Sequence, residues 1–250
     1  MDSRLKALMA LVPEETAGVA DIGYDHGKLM LALLVRDPAL RVIGVERQAG
    51  TDARFFTRFR RPLARLGVGP TLRQGDGLGP LGHNEVDCAV IAGMGEGSML
   101  RIIEARHGHG LGIARFILCP SHVEASLRPG MADMGYQAVD ERLVFERGRP
   151  YVAIAFEKAA VASMPEAVLR YGPSLFARRE PRLLAYLESF KERFAGAFEN
   201  NLQGCRGQDG ALNDLGTKLA LIDEAIAVAS ALDSARGETP DQMLLQDEKE

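Results

Sequence analysis

The sequence predicts an α/β fold: a mostly parallel sheet wound with helices and closed by an antiparallel β-hairpin, followed by a coiled-coil-like helical hairpin. Three observations support this. Short apolar runs alternate with helical patterns over residues 1–160, glycine turns follow several of those runs, and the periodicity turns purely helical beyond Ala160. Strands alternating with helices at this spacing imply βαβ units and a parallel sheet.

From the N-terminus the pattern reads as helix 3–11, strand 18–22, helix 26–36 and strand 41–45. An arginine-rich helix (49–66), a short strand (70–73) and an apolar strand (86–91) follow. Next come helix 97–106, strand 114–118 and helix 122–134, then segments 137–145 and 151–157, which alternate like an antiparallel pair joined through 146–150. In the last third, Leu183, Leu187, Phe190, Phe194 and Phe198 recur at helical spacing, as do Leu212, Leu215, Leu219, Ile222, Ile226 and Ala229. Two long helices result, with the glycine-rich stretch 203–210 as their reversal. The expected organisation is a domain over 1–160, a helical hairpin over 161–236 and an acidic, disordered tail over 237–250.

Composition narrows the class. With 250 residues, 46% of them hydrophobic, the chain can bury a real core. No run of eighteen apolar residues occurs and the first residues lack a signal-peptide core, so a cytoplasmic protein without a membrane span is expected. Cys88, Cys119 and Cys205 are odd in number and widely spaced, which supports neither a disulfide framework nor a zinc site. His107-Gly108-His109 lacks acidic or cysteine partners nearby and reads as a solvated loop, so no metal is expected. The net charge of −4 is unevenly spread: residues 47–65 hold six arginines against Asp52 alone, and 170–193 hold six basic and three acidic residues. Such faces suit phosphates, though solvated helix surfaces look the same.

The chemistry concentrates in Val19-Ala20-Asp21-Ile22-Gly23-Tyr24-Asp25-His26-Gly27, where an apolar strand meets a glycine turn and then a helix. Gly23 lets backbone approach a ligand, and the helix directs free N–H groups at it. About twenty residues on, Glu46 ends a second strand where a carboxylate can accept from ribose hydroxyls. A purely structural turn remains the alternative reading of the glycine segment. Asp25 is equally compatible with capping the following helix, His26 with packing, Asp76 with turn formation and Met94 with core filling.

Several segments together resemble the bacterial tRNA (adenine-22, N1)-methyltransferase family. They are Ala20-Asp21-Ile22-Gly23-x-Asp25-His26, Glu46, Gly75-Asp76-Gly77-Leu78, Ile91-Ala92-Gly93-Met94-Gly95, Gly135-Tyr136 and Tyr171-Gly172-Pro173, in order through about residue 232. The resemblance implies a Rossmann-like class I methyltransferase domain that transfers a methyl group from S-adenosylmethionine to N1 of an adenine in tRNA, leaving S-adenosylhomocysteine. It implies that Asp21 and Gly23 approach the methionine portion, Glu46 the ribose and Asp76 the adenine of the cofactor. Tyr24, His26, Arg47, Gly75, Gly77 and Ala92 line the same site, and Gly93 and Met94 border the methyl group. Asp25 is the carboxylate nearest the chemistry, while Arg54, Arg58, Arg61, Arg178 and Arg179 meet the tRNA. The chain departs from the family after the fifth strand, where Cys119-Pro120-Ser121 replaces Gln-Pro-Asn, so Ser121 stands where an amide would face the substrate. Glu96 also stands where another glycine is usual. Methylation of another RNA or a small molecule, or an inactive cofactor-binding module, are the rival readings.

Overall fold

The computed structural model describes residues 2–159, 163–203 and 209–234. The chain divides into two compact units, Met1–Ser163 and Met164–Glu250. The reversal expected at 204–208, Cys205 within it, and the tail expected at 237–250 lie outside the described residues.

In the first unit the order is α1 (Ser3–Leu11), β1 (Gly18–Ile22), α2 (Lys28–Arg36), β2 (Arg41–Glu46), α3 (Thr51–Leu66), β3 (Thr71–Gln74), β4 (Cys88–Ala92), α4 (Glu96–Glu104), β5 (Arg115–Cys119), α5 (Leu127–Asp133), β6 (Tyr136–Glu146) and β7 (Arg149–Lys158). Among the described residues the strands form one sheet in the order β3-β2-β1-β4-β5-β7-β6. The first five neighbours pair in parallel, and β7 runs antiparallel to both β5 and β6. All five residues of β1 are buried, as a parallel strand covered on both faces requires. The hairpin between β6 and β7 turns on Arg147 and Gly148, both with positive φ (51° and 77°), the backbone of a tight two-residue turn.

Each local feature has an identifiable cause. α3 is kinked at Phe59 (φ −106°, ψ 15°) because Pro62 lacks an N–H and its ring crowds the preceding turn. The helix expected over 122–134 begins only at Leu127. Its start is set from a distance: the buried Glu96 carboxylate accepts from Ser126 N (2.8 Å), Ser126 Oγ (2.7 Å) and Leu127 N (2.9 Å). Inside the same helix Arg128 donates from Nε to Glu141 Oε1 of β6 (2.7 Å), in a pair almost fully buried.

The second unit holds α6 (Glu166–Tyr171), α7 (Pro173–Ala177), α8 (Leu183–Gln203) and α9 (Asp209–Ser234). Lys191 pairs with Asp223 (2.7 Å) and Lys218 lies over the Phe194 ring, so α8 and α9 run antiparallel. Of the expected stripe, Leu183, Leu187, Phe190, Phe194, Ile222 and Ala229 are buried, joined by Ala225, while Leu212, Leu215 and Leu219 are half-exposed. Tyr186 and Phe190 meet edge-on at 4.6 Å, and Tyr171 donates from its hydroxyl to the Lys218 carbonyl (3.2 Å). No described helix is long and apolar enough to cross a membrane.

Candidate functional site

The sheet order reverses direction at β1: β2 lies on one side and β4 on the other. In open α/β sheets a crevice opens at such a switch point, beyond the carboxyl ends of the strands. The loops after β1, β2, β4 and β5 all leave the sheet at that edge.

The loop after β1 is held by backbone. Gly23 (φ +73°) donates from its N–H to the Val45 carbonyl (2.8 Å), which clamps it to the end of β2. A Cβ at Gly23 would come within 2.5 Å of Met94 Cε, so glycine is what lets the loops after β1 and β4 close on each other. Gly27 (φ +63°) takes the N-cap position of α2, with no side chain capping the helix. The expected alternative of an Asp25 cap is therefore corrected: Asp25 stands exposed in left-handed backbone (φ +39°), with its carboxylate 3.4 Å from His26 Nε2. The Tyr24 ring is buried edge-on against Phe55 (centroids 6.2 Å apart). Burial, with Asp52 and Glu46 nearby, pushes its hydroxyl up to about 12.

Asp21 lies between Gly44 of β2 and Val90 of β4 in the sheet register. It is only 6% exposed, and no described residue donates a hydrogen bond to its carboxyl. Burial, and secondarily the charge of Glu46, raise its pKa to about 7. A solitary buried carboxyl at a strand end is a poised acceptor for a cation.

Around it, Glu46 is half-buried at the end of β2, accepting from Gln48 N (3.1 Å) at its side chain and from Gly75 N (3.0 Å) at its backbone. Arg47 is exposed beside it. Asp76 is exposed after β3, between Gly75 and Gly77. At the end of β4 Ala92 is half-buried, and beyond it Met94 is half-buried and Gly93 (φ +79°) exposed, with open space where a Cβ would stand. Gly93 donates to the Cys119 carbonyl (3.0 Å) and Ser121 to the Met94 carbonyl (2.9 Å), so the loops after β4 and β5 are stitched together.

The structure adds residues that the motifs left unread. Ser121 Oγ contacts His122 Nδ1 at 3.0 Å, and His122 Nε2 contacts Glu124 Oε1 at 2.9 Å, a side-chain relay at the end of β5. The triplet Ser-His-x-Glu was in plain view, but its value depends on the loop's fold. Cys88 and Cys119 are buried thiols pushed up to about 12, hence unreactive. His107 donates to the Met134 carbonyl (3.0 Å), and no described group of side chains could hold a metal. Arg54, Arg58 and Arg61 are exposed on α3; Arg178 is exposed and Arg179 half-buried in the second unit.

Comparison with known proteins bears on these residues. The tRNA (adenine(22)-N(1))-methyltransferase of Bacillus subtilis (strain 168) is 30% identical over 159 residues, covering 63% of this chain and 65% of that relative. The chain therefore matches just under two thirds of that relative's length. The solved structure of a B. subtilis methyltransferase for this tRNA position aligns with a TM-score of 0.74 at 25% identity, covering 90% of this chain and 98% of the other. The Streptococcus pneumoniae protein Sp1610, solved in complex with S-adenosyl-L-methionine, aligns with a TM-score of 0.72 at 25% identity, covering 90% and 99%. A family profile described as a methyltransferase domain matches residues 1–154, and the chain belongs to that family.

Proposed function

We propose that the protein is an S-adenosylmethionine-dependent methyltransferase acting on N1 of an adenine in tRNA, with the first unit catalytic and the second an RNA-binding arm. The observation that carries the reading is the unpartnered, buried Asp21 carboxyl at the switch point, flanked by the Gly23 turn and Glu46. These residues fit a cationic, ribose-bearing cofactor: one carboxyl faces a positive charge, another meets vicinal hydroxyls, and the space over Gly93 is open. A tRNA substrate supports the reading that the protein works in the cytoplasm.

The cofactor, when bound, supplies an electrophilic methyl group on sulfonium. Asp21 offsets positive charge and gives up its proton as it does so. Glu46 accepts from the ribose and Asp76 from the cofactor's adenine amino group. Gly23 keeps backbone close, and Met94 together with Ser121 borders the place of transfer. Catalysis then rests on aiming the lone pair of a base drawn out of its stack, so positioning supplies most of the rate. Asp25 stabilises the cationic product base from the rim. Arg54, Arg58 and Arg61, with Arg178 and Arg179, hold tRNA phosphates.

Transfer of labelled methyl to bulk tRNA, with digestion to locate the methylated base, tests the reading. Label on adenine N1 is expected; cofactor binding with no label on any tRNA overturns it. Glu46→Ala should weaken cofactor affinity by about 1.5–3 kcal/mol, the loss of hydrogen bonds to a charged group. Unchanged affinity by calorimetry would remove Glu46 from the ribose.

A further inference from the structure

We propose that Phe56 on α3 is a stacking platform for an unpaired RNA base, placed beside an arginine rail that follows the phosphates. The proposal rests on the tRNA reading above and names the part of the RNA that this helix takes.

The evidence is the way α3 divides its side chains. Phe55 and Phe59 are buried, whereas Phe56 is 46% exposed and is held edge-on by Phe55 at 5.4 Å. Arg54 and Arg58 before the Phe59 kink, and Arg61 and Arg65 after it, are all exposed, each pair one turn apart on its own segment. Phe56 lies on the other flank of the exposed face, with Arg60 one turn further on. Among the described residues, Arg58, Arg60, Arg61 and Arg65 form no ion pair, so the helix presents its positive charge uncompensated.

Charge complementarity selects a polyanion, and the aromatic ring selects one that carries bases. Single-stranded RNA is bound by this combination, since cationic side chains track the backbone while aromatic faces stack bases without regard to sequence. A protein partner would need a continuous apolar patch. An apolar groove lined by Leu5, Met9, Leu31, Ala32, Val35 and Phe59 does reach α3, but neither Phe56 nor the α3 arginines line it.

The chain contains no tryptophan, so Phe56→Trp in the full-length protein is a unique fluorescent reporter. Oligoadenylate and tRNA should quench it, heparin, a polyanion without bases, should not, and Val139→Trp on β6, at the far edge of the sheet, should stay unquenched throughout. Phe56→Ala should weaken tRNA binding roughly 5- to 100-fold with the salt dependence unchanged, whereas Arg58→Glu should flatten that dependence. Calorimetry with S-adenosylhomocysteine confirms that each variant is folded. An unquenched Phe56→Trp on bound tRNA, equal quenching by heparin, or wild-type binding by Phe56→Ala overturns the platform while leaving tRNA methylation standing. Absence of any tRNA binding overturns both.

Discussion

The loops after β1 and β5 border the same crevice and are built on opposite principles. The first is fixed by main chain: Gly23 bonds to Val45, Gly27 bonds to the Tyr24 carbonyl (2.6 Å), and both glycines use left-handed backbone. The second has a backbone bond, Ser121 N–H to the Met94 carbonyl, and is otherwise held by side chains: one buried carboxylate, Glu96, holds three donors at 126–127, and a Ser121–His122–Glu124 relay decorates the rest. Main-chain geometry leaves little room for variation, so it suits the edge proposed to hold the cofactor, which is constant. Side-chain anchoring can be rebuilt residue by residue, which suits the edge proposed to meet the substrate. The two positions at which the sequence reading set this chain apart from the family it resembles, Ser121 and Glu96, fall in or against that second loop.

Substitution can break the contrast. The largest effect is expected at Gly27→Ala, where a Cβ would sit 2.2 Å from Phe55 and the backbone is left-handed. Strain and overpacking together should cost about 2–5 kcal/mol in denaturant unfolding; a loss under about 1 kcal/mol would mean that the loop yields. Glu96→Ala strands three donors and should cost about 2–3 kcal/mol. Amide exchange at Ser126 and Leu127 should rise while cofactor affinity holds. Loss of cofactor binding there would erase the division between the two loops.

A pH series sharpens the comparison. Folding raises the Asp21 pKa from 3.8 to about 7 through burial and Glu46, so the native state keeps a proton that the unfolded chain has released. Stability of the ligand-free protein should therefore fall as pH rises from about 4 to 7 and level off above. Affinity for the cationic cofactor should rise through the same window. Asp21→Asn should remove both trends and be most stabilising above pH 7; a variant that keeps the wild-type profile would assign the titration elsewhere. The smallest structural effect belongs to Asp25→Asn. Both side chains tolerate left-handed backbone and the site is exposed, so stability should shift by less than about 0.5 kcal/mol. A large fall in methyl transfer would then report chemistry alone, and full activity would remove Asp25 from it.

What the sequence reveals and hides follows the same division. Strand runs, glycine turns and the Glu46 position were legible because each depends on neighbouring residues and on a fixed period. The late start of α5 was not, because Glu96, thirty residues away, decides it. The packing of Tyr24 was not legible either, since it depends on Phe55 of α3. The Arg128–Glu141 pair joins a helix to a strand and leaves no periodic trace. Breaks of the helical arm into α6 and α7 hinge on Gly172 at φ +133° before Pro173, which a pattern of apolar spacing does not register.

The anchoring of α1 sets a condition on synthesis. Arg4 donates from its backbone N–H (3.1 Å) and from Nε (2.8 Å) to Glu146, 142 positions later, and stacks its guanidinium over Tyr151. α1 thus leaves the ribosome well before the last hairpin of its own unit, which completes its anchoring. At about 5–20 residues per second that delay is roughly 7–30 s. Throughout it the apolar face of α1, with Ala7, Leu8 and Leu11, has no finished surface to cover it. A nascent chain whose emerged part stops before residue 146 should therefore engage chaperones through α1, and one whose emerged part passes 158 should release them.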